Sequence, residues 1–179
     1  MRAALAFALT GLFAGPALCE TGDFVLPGVV LLEAGIYCPE VADGRMEAPD
    51  TESGYIDLLS GEVRAAYLGN VVPGEIGIGF GMRYQVEPET GMISGRMVVT
   101  HPPMGDSGIT RQSYTVILDP AQSNMSQYDF DFPYEIVQGT WTMTLEIAGL
   151  PALRQSFTVV PPEAAPFSID ECEGPVPMS

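Results

Sequence analysis

His101 is the only histidine of the chain, and Met97 and Met104 stand close to it on either side. Imidazole with thioethers is a ligand set for Cu(I), whereas a blue-copper site needs two histidines and is excluded. The same spacing also has a plain structural meaning. Alternation from Met97 through Val99 places His101 on a core face at a strand end, where a hydrogen-bonded histidine is ordinary. Asp119, Asp129 and Asp131 offer hard oxygen ligands of the kind calcium takes. Their spacing fits no EF-hand loop, and alternation puts Asp129 and Asp131 on the wet side of a strand. The sequence therefore assigns no metal ligand and no cofactor.

Gly105-Asp-Ser-Gly108 resembles the nucleophile signature of trypsin-like serine proteases over four residues. Ile109 replaces the next glycine, and the sole histidine lies six residues before Ser107 rather than in a distant upstream segment. Asp-Ser-Gly is also a common turn sequence. Gly77-Ile-Gly-Phe-Gly-Met82 suggests a phosphate loop, but it lacks the third glycine of the dinucleotide fingerprint and no helix follows. The chain has no lysine for a Walker motif. Twenty-three carboxylates give many chance pairs and no reason to select one as a general acid and base. No catalytic residue is assigned, and the chain does not read as an enzyme.

Arg2 followed by the short apolar run Ala3–Ala14 and small residues reads as a secretory signal peptide, residues 1–19. Cleavage after Ala17 is the alternative. Leu18 stands where lipidation of Cys19 would need a small residue. No later segment is apolar for long enough to form a membrane helix. Without Arg2, six of the seven arginines face 23 carboxylates, a net charge of −17. That balance excludes nucleic acid, whose phosphates need a basic surface, and disfavours anionic membranes. Once Cys19 is removed, Cys38 and Cys172 remain. An even count in an exported chain suggests a disulfide, closing a loop of about 135 residues; two independent buried thiols are the alternative.

The elements that must position these residues are strands. Trp141, Met143, Leu145 and Ile147 alternate with Thr142, Thr144 and Glu146. Phe157 and Val159 continue the pattern after a turn. A hairpin of this kind cannot bury its apolar face alone. Further candidates are Val29–Tyr37, Tyr55–Leu59, Glu75–Val86, Met97–Thr100, Tyr114–Leu118 and the stretch holding Tyr128, Phe130 and Phe132. Residues 39–53 read as an acidic loop, and His101-Pro-Pro103 reads as a break. Short strands with Gly and Pro turns and no helical periodicity predict an all-β fold, a single immunoglobulin-like β-sandwich of seven to nine strands. It spans residues 28–162, with a tail at 163–179. The expected core holds Ile76, Ile78, Phe80, Val99, Tyr114, Val116, Phe130, Trp141, Met143, Leu145, Phe157 and Val159. Gly77, Gly79 and Gly81 fall on the opposite side of their strand. They mark either closely packed backbone or a flat platform for a partner strand or ligand.

Gly35-Ile-Tyr-Cys38, Thr51-Glu-Ser-Gly-Tyr55, Gly77-Ile-Gly-Phe-Gly81, His101-Pro-Pro-Met104, Arg111-Gln-Ser-Tyr114 and Tyr134-Glu-Ile-Val-Gln-Gly-Thr-Trp141 together resemble the bacterial exported family called domain of unknown function 3859. The resemblance covers about residues 28 to 162. It implies an immunoglobulin-like sandwich in an envelope protein and carries no activity or functional residue. The expected function is a non-enzymatic protein-binding or accessory module, periplasmic or secreted, with an unidentified envelope protein as partner. A carrier of a metal, copper or calcium, or of a small ligand is the alternative. Oligomeric state is left open.

Overall fold

A computed structural model describes residues 22–173. The predicted signal peptide and the last six residues of the predicted tail lie outside them. The described chain is all-β, with twelve strands and four short 3-10 turns. Five strands run β1 (Phe24–Val25), β12 (Leu150–Val160), β11 (Gly139–Ile147), β8 (Ile93–Met104) and β9 (Ile109–Leu118) across the first sheet. A sixth, β6 (Val71–Pro73), adds to β12 in parallel. The second sheet runs β10 (Asn124–Asp129), β7 (Gly79–Val86), β2 (Val29–Tyr37) and β5 (Tyr67–Leu68). A separate hairpin joins β3 (Gly44–Glu47) to β4 (Tyr55–Leu58).

The two large sheets pack face to face because each presents every second side chain inward. Ile36, Phe80, Met82 and Tyr84 of the second sheet meet Met97, Val99, Trp141, Met143, Leu145, Phe157 and Val159 of the first. Phe80 lies at the centre, with ring centroids of Phe157 at 5.1 Å, Trp141 at 5.4 Å and Phe130 at 5.6 Å. Of the expected core, Tyr114 and Val116 are half-buried against this cluster. Ile76 is a correction, since it is 42% exposed. The predicted strand starts too early. Gly77 has φ +87°, a left-handed turn that ends the alternation before β7 begins at Gly79.

Other boundaries also differ from the sequence reading. The expected loop at 39–53 contains β3, paired to β4 in register Arg45 to Asp57. The expected break at His101-Pro-Pro103 is instead a bulge inside β8, whose register with β9 shifts between Thr100 and Met104. Prolines lack the N–H that a ladder needs, and a bulge is where a strand accommodates them. The strand count exceeds seven to nine because β1, β5 and β6 are two or three residues long, too short to show periodicity.

Gly79 and Gly81 serve close packing. A Cβ on Gly81 would lie 2.2 Å from the Ser126 carbonyl oxygen, and one on Gly79 would lie 2.1 Å from Asp129 Oδ1. The outer side of this sheet is covered near them by Arg83, which pairs with Glu33 at 3.4 Å and Glu62 at 2.5 Å. Cys38, just past β2, is bonded to Cys172 of the tail. The tail thereby lies back on the sandwich, burying Phe167 with its ring 5.8 Å from Tyr67.

Candidate functional site

The alternation of Met97 and Val99 carries His101 to the inner face of β8, at the start of its bulge, where it is 6% exposed. Its Nδ1 lies 2.9 Å from the Pro102 carbonyl oxygen and its Nε2 lies 3.2 Å from Gln112 Nε2. A carbonyl can only accept, so Nδ1 carries the proton and Nε2 accepts from the Gln112 amide. Burial holds the imidazole below its usual range, and the Pro102 carbonyl opposes this. Both ring nitrogens are therefore engaged by the chain itself. Met97 and Met104 are fully buried. The Tyr128 hydroxyl sits 3.5 Å from Met104 Sδ. Among the described residues, no three His, Cys, Asp or Glu side chains are grouped to hold a metal ion.

Of the other sequence candidates, Asp129 and Asp131 lie near one another and the rest stand apart. Asp119 caps the turn after β9, accepting from the Ala121 N–H at 2.9 Å. Asp129 and Asp131 lie at the opposite end of β10. Ser107 sits exposed in the turn Gly105–Gly108.

The residues the fold does bring together lie at one corner, around the β3–β4 hairpin and the segment after β10. Gln112 of β9 is the hinge of this corner. Its Oε1 accepts the Glu52 backbone N–H at 2.8 Å while its Nε2 reaches His101. The Ser113 N–H donates to the Asp50 carbonyl at 3.0 Å. Together these bonds dock the 50–54 turn on the edge of β9.

Glu135 organises the neighbouring turn. Its Oε2 accepts the backbone N–H groups of Asp131 at 2.7 Å and Phe132 at 2.8 Å, and its Oε1 lies 3.3 Å from the Tyr128 hydroxyl. Burial raises the Glu135 carboxyl, and the two backbone donors oppose that. Pro133 pre-sets the turn.

This arrangement presents Phe132 and Tyr134 outward. Their rings stack with centroids 5.5 Å apart and planes 8° apart, and they remain 46% and 41% exposed. The Tyr134 hydroxyl donates to Glu52 Oε2 at 2.8 Å. Partial burial and the Glu52 carboxylate push this phenol up to about 12. Beside them Arg45 lies over the Tyr55 ring at 4.2 Å, with its Nε bonded to Asp57 Oδ1 at 2.8 Å.

Carboxylates crowd this corner. Asp129 is pushed up to about 6, first by burial and then by Asp131, Asp57 and Glu135, with the Gln127 amide opposing. Asp131 is also raised by burial and by Asp57, and relieved by Arg45. Sequence reasoning singled out His101 but missed Gln112, Glu135 and the exposed Phe132–Tyr134 pair. The signal available was Asp131-Phe-Pro-Tyr-Glu135, a proline turn with aromatics on either side.

Two face-packed sheets with a covering hairpin and a disulfide-bonded tail define an all-β sandwich domain. The family described as domain of unknown function 3859 matches over residues 27–159, and the chain belongs to it. Among solved structures, it is similar to an immunoglobulin-like protein from Pseudomonas aeruginosa at 20% identity, covering 79% of this chain and 99% of that chain with a TM-score of 0.48. No curated protein matches. Among the described residues, no helix is long and apolar enough to cross a membrane.

Proposed function

We propose that this protein is a non-enzymatic binding or accessory module, exported by residues 1–19 to the periplasm or the cell exterior, and that it meets a protein partner at the 52–57 and 131–135 corner. The observation that carries this reading is the Phe132–Tyr134 stack. Two large rings are held in solvent, Phe132 by the Glu135 carboxylate on its backbone N–H and Tyr134 by Glu52 on its hydroxyl. Rigid aromatics that lose little entropy on contact are typical anchors of protein interfaces. The disulfide and the lysine-free acidic surface suit an exported, soluble life.

A photo-crosslinking amino acid in place of Phe132, in the native bacterium, tests the reading. Ile117, 60% exposed on β9, serves as the control position. A discrete adduct from position 132 and none from 117 supports the contact surface. Equal labelling at both, or none at 132, overturns it.

A further inference from the structure

The chemistry of this corner also says what kind of partner it fits; this inference rests on the corner being the contact surface. Five carboxylates, Glu52, Asp57, Asp129, Asp131 and Glu135, gather there with Arg45 as the cation among them. Asp129, Asp131 and Glu135 are each raised, with burial as the first cause and neighbouring carboxylates adding. Five carboxylates around one guanidinium leave this corner negative when they are ionised, and a further cation would relieve it.

The corner also displays how it would hold such a cation. Arg45 lies flat over Tyr55 while bonded to Asp57, a guanidinium seated on a ring and a carboxylate at once. The Phe132–Tyr134 stack pairs exposed rings with a carboxylate in the same way, through Glu52 on the Tyr134 hydroxyl, and Asp131 precedes Phe132 in the chain. We infer that this surface docks a cationic peptide segment of a partner protein, with an arginine or lysine over the Phe132–Tyr134 rings and its charge met by Glu52 and Asp131. Nucleic acid and anionic lipid are repelled by the same charge. A neutral saccharide could stack on the rings but would leave the carboxylates uncompensated.

The test titrates the mature protein with the peptide acetyl-(Gly-Arg)3-amide and follows backbone and side-chain NMR shifts, with acetyl-(Gly-Glu)3-amide and chitotriose in parallel. Shifts should concentrate at Tyr55, Phe132 and Tyr134 with the arginine peptide alone. Phe132→Leu and Tyr134→Leu, which keep apolar bulk and fold, should each weaken binding by about twofold to fivefold, the size of an exposed cation–π contact. Glu89→Gln, a charge removed from an exposed 3-10 turn elsewhere, should change it by less than about 1.5-fold. Shifts scattered over the acidic surface, or Glu89→Gln weakening binding as much as Glu52→Gln, would overturn the inference. Binding of chitotriose at the rings in place of the peptide would do so as well. A crosslink at position 132 together with failure of the arginine peptide removes the cationic partner and leaves the contact surface standing. No crosslink at 132 removes the surface itself.

Discussion

The imidazole of His101 lies almost flat against the indole of Trp141, with ring centroids 4.5 Å apart and planes 27° apart. Trp141 in turn bonds the Val137 carbonyl through its Nε1 at 2.9 Å. The single histidine is thus fixed between the core and the turn that carries Glu52. On the far side Gln112 links it to that turn through one amide group.

Acid should loosen this link. The folded imidazole titrates below its unfolded value, so its contribution is full above about 6.5 and is lost as pH falls through the lowered folded value. Protonation puts an N–H at Nε2, facing the Gln112 amide N–H. Rotating that amide would give up the Glu52 N–H. The groups facing His101 are Gln112 from β9 and Trp141 from β11, with Tyr128 and Glu135 beyond Gln112. The histidine's own contribution, read as wild type minus His101→Phe, should fall as pH drops below about 6.5, and amide exchange at Glu52 should rise with it beyond its intrinsic rate. His101→Phe keeps the stacking and cannot titrate. The difference between it and wild type isolates the histidine from carboxylates of opposite slope. Parallel pH profiles for the two proteins would refute the link.

Trp141 anchors both this stack and the Phe80 cluster. Truncation to Ala should cost about 3–5 kcal/mol in urea unfolding, the range for a large buried ring. A loss under about 1 kcal/mol would mean that the sheet faces are wrongly assigned.

Asp129 should behave in the opposite sense to His101. Its carboxyl is raised to about 6 in the folded chain. Its contribution is therefore full below the unfolded value and is lost as pH rises through about 6. Asp129→Asn removes the charge and keeps an oxygen for Gln127. At pH 8 it should be more stable than wild type by about 1–3 kcal/mol, and the advantage should vanish near pH 4. Thermal midpoints across pH read this directly. An equal or lower midpoint at pH 8 would show that the carboxylate is better compensated than its surroundings indicate.

The parts of the fold legible in the sequence are those in which one side chain in two is buried. The β11–β12 hairpin shows this at Trp141, Met143, Leu145, Phe157 and Val159, whereas β2 was legible as an apolar run, Val29–Tyr37, and not by alternation. β8 was legible only as Met97–Thr100, because Pro102 and Pro103 look like a stop. In the folded chain they occupy a bulge, a tertiary accommodation that local propensity does not encode. Ile76 was misplaced because alternation was carried through Gly77, whose left-handed φ resets the face. The corner was hardest to see. Gln112, Glu52 and Glu135 act as single polar side chains reaching across the chain, at separations such as the 60 residues between Glu52 and Gln112. No periodicity reports such a pairing. Phe132 looked like the third member of an alternating strand, yet β10 ends at Asp129 and the ring is turned to solvent.

Gly81 tests the closeness of the second sheet. A methyl group there would meet the Ser126 carbonyl at 2.2 Å and Gln127 Cα at 2.6 Å, both backbone atoms that cannot rotate away. Gly81→Ala should force β10 off β7 and destabilise by about 1–3 kcal/mol. Gly61→Ala meets nothing within 4 Å, but Gly61 has φ +86° and is strained for another reason. Gly22→Ala, with open space and no left-handed φ, is the better control. If Gly81→Ala melts like Gly22→Ala, the glycine is not there for close approach.

The Cys38–Cys172 bond spans 134 residues and pins the tail where Ile169 and Pro39 flank Gly77. Removing it as Cys38→Ala with Cys172→Ala restores the freedom of a long loop in the unfolded chain. The loss should be about 2–5 kcal/mol. The local effect should be larger than this global one suggests. Phe167 is the buried anchor of the tail and Ile169 packs against the same core, two apolar side chains that must hold residues 161–173 without the covalent tie. Limited proteolysis should therefore cut within 161–173 in the double variant under conditions where wild type is intact. If the double variant resists cleavage there, packing of Phe167 and Ile169 holds the tail unaided, and the disulfide acts on the unfolded chain alone.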